Sequence, residues 1–302
     1  MKVTKDQFEV LSLIERKQGT IITYTEIVKS AKVSMDIAEK TLAELKEAGL
    51  IKTVEESVYV VTEKGYEALE PHRVKRAIFM AAGFGSRMVP ITLNTPKPLV
   101  YVNGKRIIET LLDAVVEAGI TDIIIVRGYL GDQFDTLLKK YPTIKFVDNP
   151  IYNEANSISS AYLVRDLFAN SYVFDSDLVL HNKSIIRKYE YATSYLTRPV
   201  DSTDDWCFYM EDGYIAKYCK GGENVQYMYG ISYWTPEDAA KIEKDLEDVY
   251  NSPGGKELYW EEAPLRVCLK DYKVGVRLVE EGDVIEIDTF EELKQIDPIY
   301  NV

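Results

Sequence analysis

The sequence is poor in the residues that build thiolate, disulfide or imidazole chemistry. Three cysteines, Cys207, Cys219 and Cys268, stand in 302 residues. Their spacing fits no metal-ligand pattern and their number is odd, so reduced, structural thiols are expected rather than a disulfide scaffold. The only histidines are His72 and His181, which argues against a histidine metal centre or a Ser/His triad. No apolar run approaches the roughly 20 residues of a membrane span, and the opening MKVTKDQFEV lacks the apolar core of a signal peptide. A cytoplasmic protein without a membrane partner is expected. Positive charge is also short: 36 Lys and Arg against 49 Asp and Glu leave a net charge of −13. That excludes broad binding to nucleic acid, where phosphate contacts need clustered cations. It does not exclude a nucleotide substrate, which needs only a few local cations, backbone donors and a divalent ion.

What the sequence has is apolar mass. At 46% hydrophobic residues the chain can bury a sizeable core, and its length favours about two domains. Residues 1–72 read as a small module. Phe8, Leu11 and Ile14 fall at helical spacing, and a second helix is expected over residues 25–31. A third runs from Ser34, its N-cap, to about Ala48, with Ile37, Leu42 and Leu45 inward and Gly49 at its stop. Residues 50–54 and 58–61, joined by Glu55, Glu56 and Ser57, read as a two-stranded wing. This order, with AELKEAGLIK at the helix exit and VTEKGYEAL after the wing, resembles the winged-helix family of bacterial DNA-binding domains. Yet residues 1–70 carry ten Lys and Arg against thirteen Asp and Glu, and the helix that would read DNA holds Asp36, Glu39 and Glu44 against Lys40 and Lys46. A DNA-reading helix is basic or neutral. DNA binding is therefore the lesser expectation, and a regulatory or dimerising module, giving a homodimer, the greater.

Pro71, His72 and Arg73 read as a linker, and residues 73–302 as the second domain. Strand-like runs over 76–80, 122–126, 144–147 and 171–174 alternate with helix-like runs over 106–118, 132–140 and 157–167. The alternation implies βαβ units and a parallel sheet covered on both faces, with ligands at the carboxyl ends of the strands. Beyond Asp177 the chain turns antiparallel and aromatic. Residues 205–211, 214–220 and 224–234 read as hairpin strands, with Asp212-Gly213 a turn signal. A helix over 236–251 starts at Thr235 and Pro236, late strands lie at 274–278 and 284–287, and a closing helix covers 289–296.

The stretch Met80–Leu99, MAAGFGSRMVPITLNTPKPL, organises the rest. A glycine turn at a strand end points successive N–H groups into one concavity, as phosphate binding requires. Arg87 adds a planar fork and Lys97 a point charge. The glycines alone fit a dinucleotide loop or an ordinary tight turn. With Pro90, Thr92 and Pro96-Lys97-Pro98 at their spacings, the run resembles the signature of the sugar-phosphate nucleotidyltransferases. The resemblance implies an α/β, Rossmann-like nucleotidyltransferase fold, a mixed and mostly parallel sheet flanked by helices, preceded by the winged-helix domain. It also implies that Ala81, Ala82, Gly83, Gly85, Ser86, Arg87 and Gly128 bind the nucleotide and that Arg87, Lys97 and Asp177 are catalytic. Nucleotidyl transfer needs a divalent ion to neutralise charge at the α-phosphate, and aspartate oxygens suit Mg2+. Asp177, closing FDSD, and Asp288, in VIEIDT, resemble the family's metal carboxylates; capping a helix is their plainer role.

Residues 119–130, 161–164, 169–173, 230–234 and 258–260 are similar to the bacterial CTP:phosphocholine cytidylyltransferases. The resemblance runs from about Arg76 to Glu292 and leaves the first 70 residues uncovered. It implies Mg-dependent condensation of CTP with phosphocholine to CDP-choline and pyrophosphate. A trimethylammonium group has no N–H to donate and is best held by aromatic faces near carboxylates. Trp206, Tyr259 and Trp260 are the candidates, and Asn156 matches an Asn of the choline-type enzymes. A primary ammonium donates three hydrogen bonds and favours carboxylates, so phosphoethanolamine and 2-aminoethylphosphonate are alternative acceptors, as is a sugar 1-phosphate. The alternative of another class is a transcriptional regulator that senses a nucleotide, against which the intact Lys97, Asp177 and Asp288 speak.

Overall fold

In the computed structural model, which describes residues 2–301, the chain divides into two units, each with its own apolar core. The first runs to Arg73 and takes in a later segment, Tyr189–Tyr191. Helix α1, Lys5–Arg16, starts at a capping box: the Thr4 side chain accepts from the Gln7 N–H at 3.3 Å, and the Gln7 side chain from the Thr4 N–H at 3.1 Å. The Thr23 and Ser34 side chains cap α2 (Tyr24–Ala31) and α3 (Met35–Glu47) by accepting from the Glu26 and Ile37 N–H groups. On α3 the buried stripe is Ala38, Thr41, Leu42 and Leu45, spaced i, i+3, i+4 and i+7. Ile37, expected inside, lies off that stripe and is exposed. Strands β1 (Ile51–Glu55) and β2 (Val58–Val61) form the antiparallel wing, and α4 (Glu63–Leu69) follows. Pro71-His72-Arg73 is not a free linker. Glu70–His72 forms a 3-10 turn, and the His72 ring stacks on Tyr191 at 5.1 Å and packs against Phe8 at 4.8 Å.

The second unit holds Val74–Lys188 and the chain from Ala192 onward. Its elements are β3 (Arg76–Ala81), the short hairpin β4 (Tyr101–Val102) and β5 (Lys105–Arg106), α5 (Ile107–Glu117), β6 (Asp122–Arg127), β7 (Ile144–Asp148), α6 (Ile158–Leu163), β8 (Ser171–Asp175) and β9 (Leu178–Leu180). Then come β10 (Ser194–Glu211), β11 (Tyr214–Trp234), α7 (Pro236–Tyr250), β12 (Gly275–Leu278), β13 (Val284–Glu286) and α8 (Phe290–Ile296). The main sheet has seven strands in the order β12-β10-β11-β8-β3-β6-β7. β8, β3, β6 and β7 run parallel; β11 is antiparallel to β8 and to β10. Both faces of the parallel strands are buried. Ala77, Phe79, Ile123 and Ile125 face one core, and Ile78, Ile124 and Val126 the other.

Three sequence expectations change in detail. Residues 131–139 wind as a 3-10 helix, and the helix expected over 157–167 stops at Val164 (φ −122°, ψ 16°), followed by a 3-10 turn over Arg165–Leu167. The three hairpin strands merge into two long ones whose register shifts between Thr203 and Trp206 and again around Cys207 and Phe208. There Cys207 faces Cys219 with the sulfurs 4.0 Å apart, and all three cysteines are free. Among the described residues no helix is long and apolar enough to cross a membrane.

Candidate active site

The register of the parallel strands puts Ala81, Arg127 and Asp175 at one edge of the sheet, and the loops leaving that edge build the cleft. After β3, Gly85 adopts φ +69°, a left-handed conformation that favours glycine, and the chain then turns through Ser86–Met88. Met88 is fully buried beneath this turn, which leaves Arg87 outward. Thr92 locks the loop from below, its hydroxyl donating to the Gly85 carbonyl at 3.0 Å. A second 3-10 turn, Lys97–Leu99, brings the Lys97 ammonium in from the side at 7% exposure.

The carboxylates arrive through a different pairing. β9 and β13 are antiparallel, with Leu178 opposite Glu286 and Val179 opposite Ile285, so Asp177 and Asp288 emerge side by side from segments over a hundred residues apart in sequence. A small core of Met88, Val100, Ile107, Val179, Ile287 and Leu293 supports this pairing from below. Thr289 caps α8, and Glu292 accepts from the Asp288 and Thr289 N–H groups at 2.7 and 2.8 Å. Asp288 therefore keeps its side chain for the cleft.

Cations and carboxylates are interlocked there. Lys97 Nζ lies 2.7 Å from Asp177 Oδ2 and 2.9 Å from Asp288 Oδ1, and Arg87 grips Asp288 with both guanidinium nitrogens at 2.6 and 2.8 Å. Burial alone would lower the Lys97 pKa; Asp177 and Asp288 outweigh it and the net shift is upward. Asp177 Oδ1 is buried with no hydrogen-bond partner. Asp177, Asp288 and Glu286 each offer an oxygen within 4.8 Å of the others. Three hard oxygen donors, one of them orphaned, fit a divalent cation of the Mg2+ kind. Glu286 was missing from the sequence expectation, although the alternation of VIEID sets it two residues before Asp288. Burial, then the neighbouring Asp177 and Asp288, push its pKa up to about 8.

The cleft encloses about 660 Å³. Ala81, Ala82, Gly83, Gly85, Ser86 and Arg87 line the half at the glycine turn, and Asn156, Trp206 and Tyr259 line the other. The Trp206 ring stacks on Tyr218 at 4.6 Å and meets Tyr259 edge-on at 5.5 Å, giving two aromatic walls at a steep angle. Asn156 accepts from the Ser157 N–H at 2.7 Å and donates to the Glu257 carbonyl at 3.1 Å, tying the two loops of this half together. Trp260 is not brought to the cleft. Its ring is 2% exposed and packs on Phe168 and Trp234, because the chain turns inward after Tyr259. Gly128 does not line the cleft either. Tyr218 and Lys220 line it without having been expected, and the buried Glu261, one of the acids near the aromatic candidates in sequence, lines it too. Burial pushes the Glu261 pKa up to about 8, and that of half-buried Asp175 nearby is raised too, first by its removal from solvent and then by Glu261.

A glycine turn, two interlocked cations and a three-carboxylate cluster at the carboxyl edge of a mostly parallel sheet are the equipment for nucleotidyl transfer. The family described as nucleotidyl transferase matches residues 76–202, and the one described as winged helix-turn-helix matches residues 6–78. The chain belongs to the nucleotidyltransferase family. A 2-aminoethylphosphonate cytidylyltransferase of Lancefieldella rimae is 36% identical over 228 residues, 74% of this chain and 92% of the relative. A choline-phosphate cytidylyltransferase of Streptococcus pneumoniae is 34% identical over 225 residues, 74% of this chain and 97% of the relative. The solved CTP:phosphocholine cytidylyltransferase of Streptococcus pneumoniae has a TM-score of 0.69 at 35% identity, covering 75% of this chain and 99% of that one. Within its family the chain is a cytidylyltransferase, carrying a winged-helix domain at its N-terminal end.

Proposed function

We propose that the protein condenses CTP with phosphocholine, releasing pyrophosphate and forming CDP-choline. An acceptor phosphate oxygen attacks the α-phosphorus of CTP in line, the new P–O bond forms as the bond to the β-phosphate oxygen breaks, and pyrophosphate leaves. The acceptor phosphate is ionised at neutral pH, so no protein nucleophile or base is required. Catalysis is then positioning and electrostatics. The glycine turn and Arg87 hold the nucleotide phosphates, and Lys97 neutralises charge at the reacting phosphorus. Asp177, Asp288 and Glu286 would hold Mg2+, which supplies charge neutralisation at the α-phosphate. The observation that carries this reading is the convergence of Lys97 on Asp177 and Asp288 in a cleft whose far half is walled by Trp206 and Tyr259. Aromatic faces attract a quaternary ammonium through the ring quadrupole.

A second acceptor class has its own support. The buried Glu261 and the half-buried Asp175 are carboxyl groups lining the same cleft as the aromatic walls, and they suit a primary ammonium with N–H groups to donate. Phosphoethanolamine and 2-aminoethylphosphonate are the acceptors of that kind; a sugar 1-phosphate has no cation for either set. Pyrophosphate release, measured for CTP, UTP, ATP and dTTP against all four acceptors, decides between them. The proposal expects the highest kcat/KM for CTP with phosphocholine. A primary-amine acceptor preferred by tenfold would transfer the assignment to that class.

A further inference from the structure

Among the described residues Tyr152 is the one aromatic side chain that lines the cleft apart from Trp206, Tyr218 and Tyr259, and the proposed reaction gives it no task. It is half-buried, on the loop that leaves β7. That loop is fixed at its root. Asn149, 2% exposed, donates to the Ser159 and Ser160 hydroxyls at 2.9 and 3.0 Å and accepts from the Ile151 N–H at 3.1 Å.

Gly128 explains where the ring lies. A Cβ on Gly128 would fall 2.6 Å from Tyr152 Cβ, 2.7 Å from its Cγ and 2.8 Å from the Ala82 carbonyl oxygen. Only a glycine lets Tyr152 close onto this corner, so Tyr152 covers Gly128 and takes its place in the wall. The next N–H, that of Tyr129, donates to the Ala82 carbonyl at 3.0 Å, which ties the corner to the start of the glycine turn. The Tyr129 ring meets Phe84 edge-on at 4.7 Å and lies 6.5 Å from Tyr152, extending the aromatic surface away from the cleft.

A nucleotide whose phosphates occupy the glycine turn can send its base to one of two ends. The Trp206 and Tyr259 end is taken by the acceptor, which must approach the α-phosphorus opposite the leaving pyrophosphate. The Gly128 corner is left. We propose that Tyr152 is the face on which the nucleotide's base stacks, a binding residue whose back is held by Gly128. The inference rests on the nucleotidyl-transfer reading. Stacking is sequence-tolerant because every base has a π face, so Tyr152 sets affinity for the nucleoside rather than the choice of cytosine.

Titration calorimetry with CTP and with inorganic tripolyphosphate, both with Mg2+, tests this on the full chain, Tyr152→Ala and Tyr152→Phe. Tyr152→Ala should weaken CTP binding roughly tenfold to a hundredfold, the range of one base–aromatic stack. Tyr152→Phe should bind CTP like the unaltered protein, and tripolyphosphate should bind all three proteins equally. Unchanged CTP affinity in Tyr152→Ala would overturn the proposal, as would an equal loss for tripolyphosphate, which would make the ring a support for the phosphate loop. An unaltered protein that binds neither CTP nor tripolyphosphate would overturn the underlying nucleotidyl-transfer reading instead.

Discussion

Replacing Lys97 by Met keeps the length of the side chain and removes its charge. In the folded protein the ammonium sits 2.7 Å from Asp177 and 2.9 Å from Asp288 at 7% exposure. Breaking a buried ion pair costs about 3–5 kcal/mol, and the lower end applies here because Arg87 still holds Asp288 with two hydrogen bonds. A loss of about 3 kcal/mol lowers Tm by on the order of 6–12 °C in a domain of this size, so the variant stays folded at 25 °C. The chemical effect is larger in rate. A preorganised charge aimed at the transition state is worth about 10²–10³ in kcat. The expected result is a folded variant by circular dichroism, with kcat for CDP-choline formation reduced by about 10²–10³ and nucleotide KM changed far less. A folded Lys97→Met enzyme with kcat within about threefold of wild type, well short of that expectation, would refute the role of Lys97 at the reaction centre.

Other predictions follow from the same geometry. Glu286→Gln removes one of three clustered carboxylates and should weaken Mn2+ binding, read by calorimetry on the protein without nucleotide, by tenfold or more; unchanged affinity would leave Asp177 and Asp288 as the only ligands. Burial works to raise the Asp113 pKa, but hydrogen bonds from Lys105, Tyr141 and Lys140 outweigh it and hold the carboxyl at about 2. A depressed carboxyl stabilises above its unfolded pKa and loses that contribution as pH falls through the folded value. Asp113→Asn should therefore be less stable by on the order of 1–2 kcal/mol at pH 6, by urea denaturation, with the difference shrinking toward pH 2; a constant difference across that range would contradict the assignment. Asp36 and Glu39 are exposed on α3, so duplex DNA at low salt should show no retardation in a gel shift at micromolar protein, and a retarded band would reinstate the DNA-reading role.

Much of the fold was legible because local signals agreed with the tertiary result. Ser34 and Thr235 cap helices where side-chain chemistry says they should, whereas the last helix is capped by Thr289 rather than by Asp288, and the apolar runs before the glycine turn and before Asp177 became neighbouring parallel strands. What failed was information held in three dimensions. Trp206 and Trp260 read alike in sequence, an aromatic beside acids, yet one walls the cleft and the other fills the core, a difference made by the inward turn after Tyr259. Gly128 was expected at the nucleotide, and that Tyr152, distant in sequence, lies over it could not be read from the chain. Glu286 needed only the two-residue period of a strand once Asp288 was chosen. Glu261 stood out only as one of several acids beside the aromatics, because its burial cannot be read from WEEAP.

The most direct test of the reaction is ³¹P NMR of the protein with CTP, phosphocholine and Mg2+. The account predicts that the CTP and phosphocholine signals fall together while the diphosphodiester signals of CDP-choline and the pyrophosphate signal rise in equal amounts. CTP and phosphocholine both left intact, at protein concentrations where a folded cleft is verified by CTP binding, would contradict it.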